Sequence, residues 1–234
     1  VTDPTISDEM RGYGSMAHAF RALDYYTLMV LFEPVENIYT DCSKILGLTV
    51  PIVTEATTND MAKNNPRATR EEMMAFILSD LDKAEIGLAD YTPTSKTFPD
   101  LSVVYGLKAK VYMWNGEYAK AAEYARKAID ASGATPMTAA QWNNSITGFN
   151  TATSSWMWYL HPTASNMGNL ANFIGHISNE AGWGYADLSK LQIARSLYDE
   201  IADNDFRKYS FLDPDRSFYN YQSVQGKEWL DEQP

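Results

Sequence analysis

Residues 100–133 read DLSVVYGLKAKVYMWNGEYAKAAEYARKAIDASG, and they spell a complete helical hairpin with its turn. Asp100 follows Pro99, and its carboxylate can accept from the first orphan amides of a helix. Leu101, Val104, Tyr105, Val111 and Tyr112 recur near three-to-four-residue spacing, which places them on one face. The run breaks at Asn115-Gly116, where glycine tolerates the left-handed backbone of a helix stop. A second helix follows, with Tyr118, Ala121, Ala122, Ala125, Ala128 and Ile129 as its expected interior face. Its small side chains let a neighbouring axis come close, and Gly133 ends it.

Two helices of this length on a tight glycine turn resemble one unit of the tetratricopeptide repeat. Tyr105, Ala109, Tyr112, Gly116, Tyr118, Ala121 and Ala128 stand where that repeat wants large, small, aromatic, Gly, aromatic, small and small residues. Lys108 occupies a usual Leu position and Gly133 a usual Pro position, so the unit is degenerate. One hairpin cannot bury its own apolar face, and other parts of the chain must cover it.

Working outward, Ser7 to Phe32 is helical, with Met16, Phe20, Leu23, Thr27, Val30 and Leu31 on one side. Arg21 and Asp24, three apart, are expected to form an ion pair at its edge. Glu33 to Thr54 carries Pro34, Gly47 and Pro51 without a sustained period and reads as a long loop ending in a short extended run, Thr49 to Val53. Asn59 to Pro66 is a polar connection, and Thr69 with Glu72 fits a capping box. Met73, Phe76, Ile77, Leu81, Ala84 and Leu88 form the buried stripe of the helix that follows, while Asp80 and Asp82 are assigned to solvated faces. Beyond Gly133 the chain turns rich in Gly, Asn, Ser and Thr. Trp156 to Leu160 suits a short strand, Asn166 to Tyr185 reads as irregular loop, and Ser189 to Ala202 as a last helix.

The totals exclude several functions. The chain has 234 residues, 45% hydrophobic and 21% charged, enough for a domain with a real core. A net charge of -11 without a basic cluster argues against nucleic acid. Cys42 is the single cysteine, so neither an intrachain disulfide nor a cysteine metal site can form. No window is long and apolar enough to span a membrane. The opening VTDPTISDEM has no signal-peptide pattern and no initiator Met, and is expected to be the start of a mature or excised piece.

Several segments in order resemble the SusD/RagB-like nutrient-binding lipoproteins of Gram-negative outer membranes. Phe20-Arg-Ala-Leu-Asp-Tyr-Tyr26 is similar to that family's first-helix signature, and Gly47-Leu-Thr-Val-Pro-Ile-Val53 to the motif that follows it. The most specific match is Pro66-Arg-Ala-Thr-Arg-Glu-Glu72 with Phe76-Ile-Leu-Ser-Asp-Leu-Asp-Lys-Ala84. The repeat hairpin, the Ser155 to Leu160 run and Asp203-Asn-Asp-Phe-Arg207 come next in the same order. Glu33 to Leu46 is longer here than the family pattern. The resemblance implies a mainly α fold, with tetratricopeptide-like hairpins in a superhelix, long irregular loops and a short strand. It implies one incomplete SusD-like domain over residues 1–234, with the helical scaffold at about 7–133 and an aromatic, loop-rich part at about 134–234. A lipid-anchored N-terminal segment and most of a C-terminal half would be missing. The implied function is binding of oligosaccharide or polysaccharide at the outer-membrane surface and delivery to a SusC-like TonB-dependent transporter, without catalysis. The membrane would be reached only through the anchor absent from this sequence. The same scaffold holding a peptide or another nutrient, or acting as a protein-interaction scaffold, is the alternative.

The chemistry of the residues agrees with a binding role. Ser15 follows Gly14 but lacks the second glycine of a nucleophile elbow. His18, His161 and His176 lie far apart without ligand spacing, and Asp213 to Ser217 begins like a calcium loop but has Phe218 where glycine is needed. No catalytic residue, metal ligand or cofactor is assigned. Sugar rings pack flat on aromatic rings while polar side chains bond their hydroxyls, so a glycan site needs both on one surface. Trp183 lies in Asn179-Glu-Ala-Gly-Trp-Gly-Tyr185, flanked by glycines that leave its face open. Trp183, Tyr185, Asn179 and Glu180 are the expected ligand contacts. Trp158 joins them, although it and Trp156 share a face of the expected strand where core packing competes.

Overall fold

The structure is a computed structural model that describes residues 6–144, 152–160 and 193–211. The helices are α1 (Asp8–Phe32), α2 (Asn59–Lys63), α3 (Arg70–Leu88), α4 (Leu101–Trp114), α5 (Tyr118–Ser132), α6 (Ala139–Trp142) and α7 (Arg195–Glu200), followed by a 3-10 turn, Phe206–Phe211. The chain divides into two compact units, one of Val1–Ala134 with Trp156–Tyr159, the other of Thr135–Ser155 with Leu160–Pro234.

In the first unit every long helix but α5 starts on a side-chain cap. Ser7, Thr69 and Asp100 accept from the amides of Met10, Glu72 and Val103, and Glu72 returns the bond to Thr69 to complete the capping box. The hairpin α4–α5 turns at Gly116 (φ 76°), and Gly133 (φ 60°) closes α5, both in the left-handed region.

Helices α1 and α3 run antiparallel, because Gly12 faces Tyr91, Ser15 faces Gly87 and Glu33 pairs with Arg70. Their axes come close. A methyl group on Gly87 would overlap the Ser15 hydroxyl, and one on Gly12 would lie 2.5 Å from the Tyr91 ring. This proximity changes which face of α1 is buried: the residues inside are Gly12, Ser15, Met16, Ala19, Ala22 and Met29. Val30 and Leu31, expected on the inner side, are 36% and 69% exposed, since small residues rather than long ones fit between near axes. Met73, Ile77, Leu81, Ala84 and Leu88 of α3 and Val104 and Val111 of α4 complete the core. On α5 only Ala121 and Ala128 are buried, while Tyr118 and Ile129 are 71% and 52% exposed, because only its face toward α4 is covered among the described residues.

Two charge expectations are overturned. Asp80 is fully buried and not solvated. Arg21 leaves its neighbour Asp24 and crosses to Asp80, with Nε to Oδ2 at 2.7 Å and Nη2 to Oδ1 at 2.9 Å, while Nη1 reaches Glu55 at 2.9 Å. His18 donates Nδ1–H to Asp80 at 2.9 Å. Water already satisfies the exposed Asp24, whereas a buried carboxylate must find a cation inside the protein. Burial pushes the Asp80 carboxyl up, but the bonds and charge of Arg21, with His18, outweigh it and hold the group below its ordinary range. Lys108, in the usual Leu position, is also buried and bonded to Asp82 and Glu85. Its ammonium lies 5.1 Å from the centre of the Tyr124 ring. Burial pushes the Lys108 ammonium down in pKa, and the two carboxylates more than reverse it.

The expected strand at Trp156 to Leu160 is absent. Tyr159 donates its backbone N–H to Lys96 at 3.1 Å, Lys96 Nζ donates to the Trp156 carbonyl at 2.5 Å, and no ladder continues. The facing segment is curled, with Phe98 N bonded to Ser95 O at 3.1 Å, so it offers no extended edge. The extended run at Thr49 does find a partner: Thr49 N donates to Ala68 O at 2.7 Å and Ala68 N to Val50 O at 3.2 Å around the Leu48–Thr69 bridge.

Candidate ligand-binding site

The second unit carries a hollow built from two short segments. Thr138 and Gln141 cap each other, Gln141 N to Thr138 Oγ1 at 3.2 Å and Thr138 N to Gln141 Oε1 at 2.9 Å, which starts α6 and sets Trp142 at its end. The second segment leaves α7 through a turn in which Asp205 N bonds Ala202 O at 2.9 Å. Asp205 then accepts the Arg207 amide at 3.0 Å and opens the 3-10 turn. Lys208 pins the same turn, donating to Ile201 O at 2.8 Å and to Asp203 at 2.7 Å above the buried Tyr198 ring. The last helix is shorter than expected, since residues 193 and 194 are not helical and α7 spans six residues.

The segments meet through Trp142. Its indole N–H donates to Ser210 Oγ at 2.7 Å, and its ring stands edge-on to Phe206 at 6.2 Å. Trp142, Ile201, Asp205, Arg207, Ser210 and Phe211 line a hollow of about 260 Å³. That lies just under the ~300 Å³ lower end of small-molecule pockets, which suits one ring better than a long ligand. Arg207 Nε bonds both Asp205 oxygens at 2.9 and 3.1 Å, and Nη2 bonds Oδ2 at 2.5 Å. These bonds, with the Arg207 amide, lower the Asp205 pKa to about 2, so the pair stays doubly charged at neutral pH. Aromatic and apolar surface thus stands beside a fixed ion pair and a hydroxyl.

Of the expected contacts, Trp158 is described. It packs edge-on against Phe20 at 5.5 Å, and its indole N–H donates to the Thr97 carbonyl at 3.1 Å, so it also anchors the 156–159 segment to the first unit. Trp183, Tyr185, Asn179 and Glu180 lie outside the described residues. Trp142 was not expected at a site. Its local signal was the Thr138 to Gln141 capping box, while its pairing with residues 201–211 depends on contact distant in the chain. Among the described residues no group of three or more His, Cys, Asp or Glu is placed to hold a metal ion, and no helix is long and apolar enough to cross a membrane.

Residues 3–113 match the family SusD-like_3, described as "Starch-binding associating with outer membrane". A SusD-like carbohydrate binding protein from Bacteroides vulgatus superposes with a TM-score of 0.65 at 17% identity, over 96% of this chain and 48% of its own. A SusD superfamily protein from Bacteroides fragilis gives a TM-score of 0.58 at 17% identity, over 88% of this chain and 45% of its own. A second SusD-like protein from Bacteroides fragilis gives 0.54 at 21% identity, over 83% and 36%. At these identities the likeness is one of fold, and the chain spans less than half the length of each of these structures. No curated protein matches the sequence.

Proposed function

We propose that this SusD-like chain binds oligosaccharide or polysaccharide at the outer-membrane surface and passes it, unmodified, to a SusC-like TonB-dependent transporter. The observation that carries this reading is the Trp142 hollow, where rings and a hydroxyl stand beside the Asp205–Arg207 pair. A sugar presents C–H patches and hydroxyls together, and such a surface answers both. The family description of starch binding and outer-membrane association supports the ligand class and the location. Trp183 and Tyr185, with Asn179 and Glu180, are proposed as further contacts. Each stacked ring contributes about 0.5 to 1.5 kcal/mol beyond burial, so a few rings yield affinities near the millimolar range. Repeats along a polymer then raise the effective affinity by avidity.

Native affinity electrophoresis of the chain through gels containing starch, xylan or mannan tests the reading, with Trp183→Ala and Trp142→Ala alongside. Retardation by a polysaccharide that either variant relieves is the expected result. A folded chain that no gel retards would move the ligand to a peptide or another nutrient.

A further inference from the structure

Resting on the glycan reading above, we infer that the hollow of Trp142, Ile201, Asp205, Arg207, Ser210 and Phe211 takes a single uncharged sugar ring and discriminates against acidic ones. Asp205 Oδ1 accepts the Arg207 amide at 3.0 Å and Nε at 2.9 Å, and Oδ2 accepts Nε at 3.1 Å and Nη2 at 2.5 Å. A carboxylate has about four lone-pair sites, so Asp205 has little acceptor capacity to spare. Arg207 keeps its Nη1 edge unbonded among the described residues, and its side chain is 63% exposed. Ser210 Oγ accepts from Trp142 at 2.7 Å and so retains its own proton to donate.

The lining of the hollow is thus mainly apolar, with Arg207 and Ser210 as its donors. Its partners are neutral oxygen acceptors, the hydroxyl and ring oxygens of a sugar, whose C–H face can rest on the apolar lining. An acidic ring would also be drawn to Arg207, but that charge is already matched by Asp205 at hydrogen-bond distance. A carboxylate or sulfate on the ligand would bring a second anion against Asp205 on a chain of net charge -11. A neutral ring meets no such opposition.

Isothermal titration calorimetry of the whole chain tests this with maltoheptaose and xylohexaose as neutral probes and an oligogalacturonate of similar length as the acidic one. The variants are Trp142→Ala, Phe211→Ala and Asp205→Asn, with circular dichroism as the check on folding. The expected result is binding of a neutral probe that weakens about tenfold in Trp142→Ala, equivalent to ~1.4 kcal/mol, and undetectable binding of oligogalacturonate. Asp205→Asn unbalances Arg207 and should make oligogalacturonate binding detectable where the unaltered chain shows none. If Trp142→Ala loses its structure, Phe211→Ala, at a residue that is 45% exposed, decides in its place. Oligogalacturonate binding the unaltered chain as tightly as the neutral probes would overturn this inference and leave the glycan reading standing. Neutral binding unchanged in a folded aromatic variant would overturn the hollow as the site. Failure of every probe would overturn the glycan reading itself.

Discussion

Arg21 of α1 and Asp80 of α3 form a two-pronged ion pair, Nε to Oδ2 at 2.7 Å and Nη2 to Oδ1 at 2.9 Å, across the antiparallel contact of the two helices. The carboxylate is fully buried and the guanidinium side chain 26% exposed. Removing the cation strands a buried charge. Arg21→Ala should destabilise the chain by about 3 kcal/mol, the low end for breaking a buried pair, because His18 remains at 2.9 Å and Lys83 at 3.6 Å. Urea denaturation measures it; a loss below ~1 kcal/mol would place the pair among surface bridges.

The same pair sets an acid limit. The Asp80 carboxyl is held below its ordinary range in the folded chain, so its contribution is present above the unfolded value near ~4 and fades as pH falls through the lower folded value. The stability gap between the unaltered chain and Asp80→Asn should accordingly shrink as pH falls below ~4. Urea midpoints at a series of pH values read this directly, and a gap that widens on acidification would contradict it.

Lys108 offers a contrast. Its side chain is 2% exposed, but Asp82 is 64% and Glu85 30% exposed. Both carboxylates can rehydrate once the cation has gone. Lys108→Met, which keeps the volume, should cost less than ~1.5 kcal/mol, whereas Lys108→Ala leaves a hole and should cost ~2 kcal/mol or more. In the unaltered chain the raised Lys108 pKa makes its contribution complete below the unfolded value near ~10.4 and lost as pH rises through the folded one.

Two glycines on the scaffold should respond in opposite directions. An added methyl at Gly106 of α4 meets nothing within 4 Å, so Gly106→Ala should stabilise by about 0.5–1 kcal/mol through helix propensity. Gly87→Ala meets the Ser15 side chain and should cost about 1–3 kcal/mol through overpacking. Thermal denaturation of the two variants side by side checks both signs.

Much of the scaffold was legible in the residues because it is written in local terms. The caps at Thr69 and Asp100 and the glycines at 116 and 133 act within one turn of backbone, and Gly116 and Gly133 adopt the positive φ that their place in the pattern requires. The SusD-like motifs in residues 20–84 are likewise contiguous. What misled was any inference about partners. Arg21 has Asp24 three residues away, yet burial of Asp80 draws it across to another helix. Trp156 to Leu160 is a short aromatic run of the kind that suits a strand, but a strand exists only where a second extended edge is offered, and residues 95–98 are curled.

Residue order alone specifies the 100–133 hairpin, the helix stops and the kind of chemistry on offer, many rings, an acidic balance and one cysteine, because backbone preference and composition are local properties. Packing selects which charges are buried, brings α1 to α3 through small residues, and sets Trp142 on Ser210 beside the Asp205–Arg207 pair. Those depend on which surfaces come within a few ångströms of each other, and burial and ion pairing take their strength from that distance.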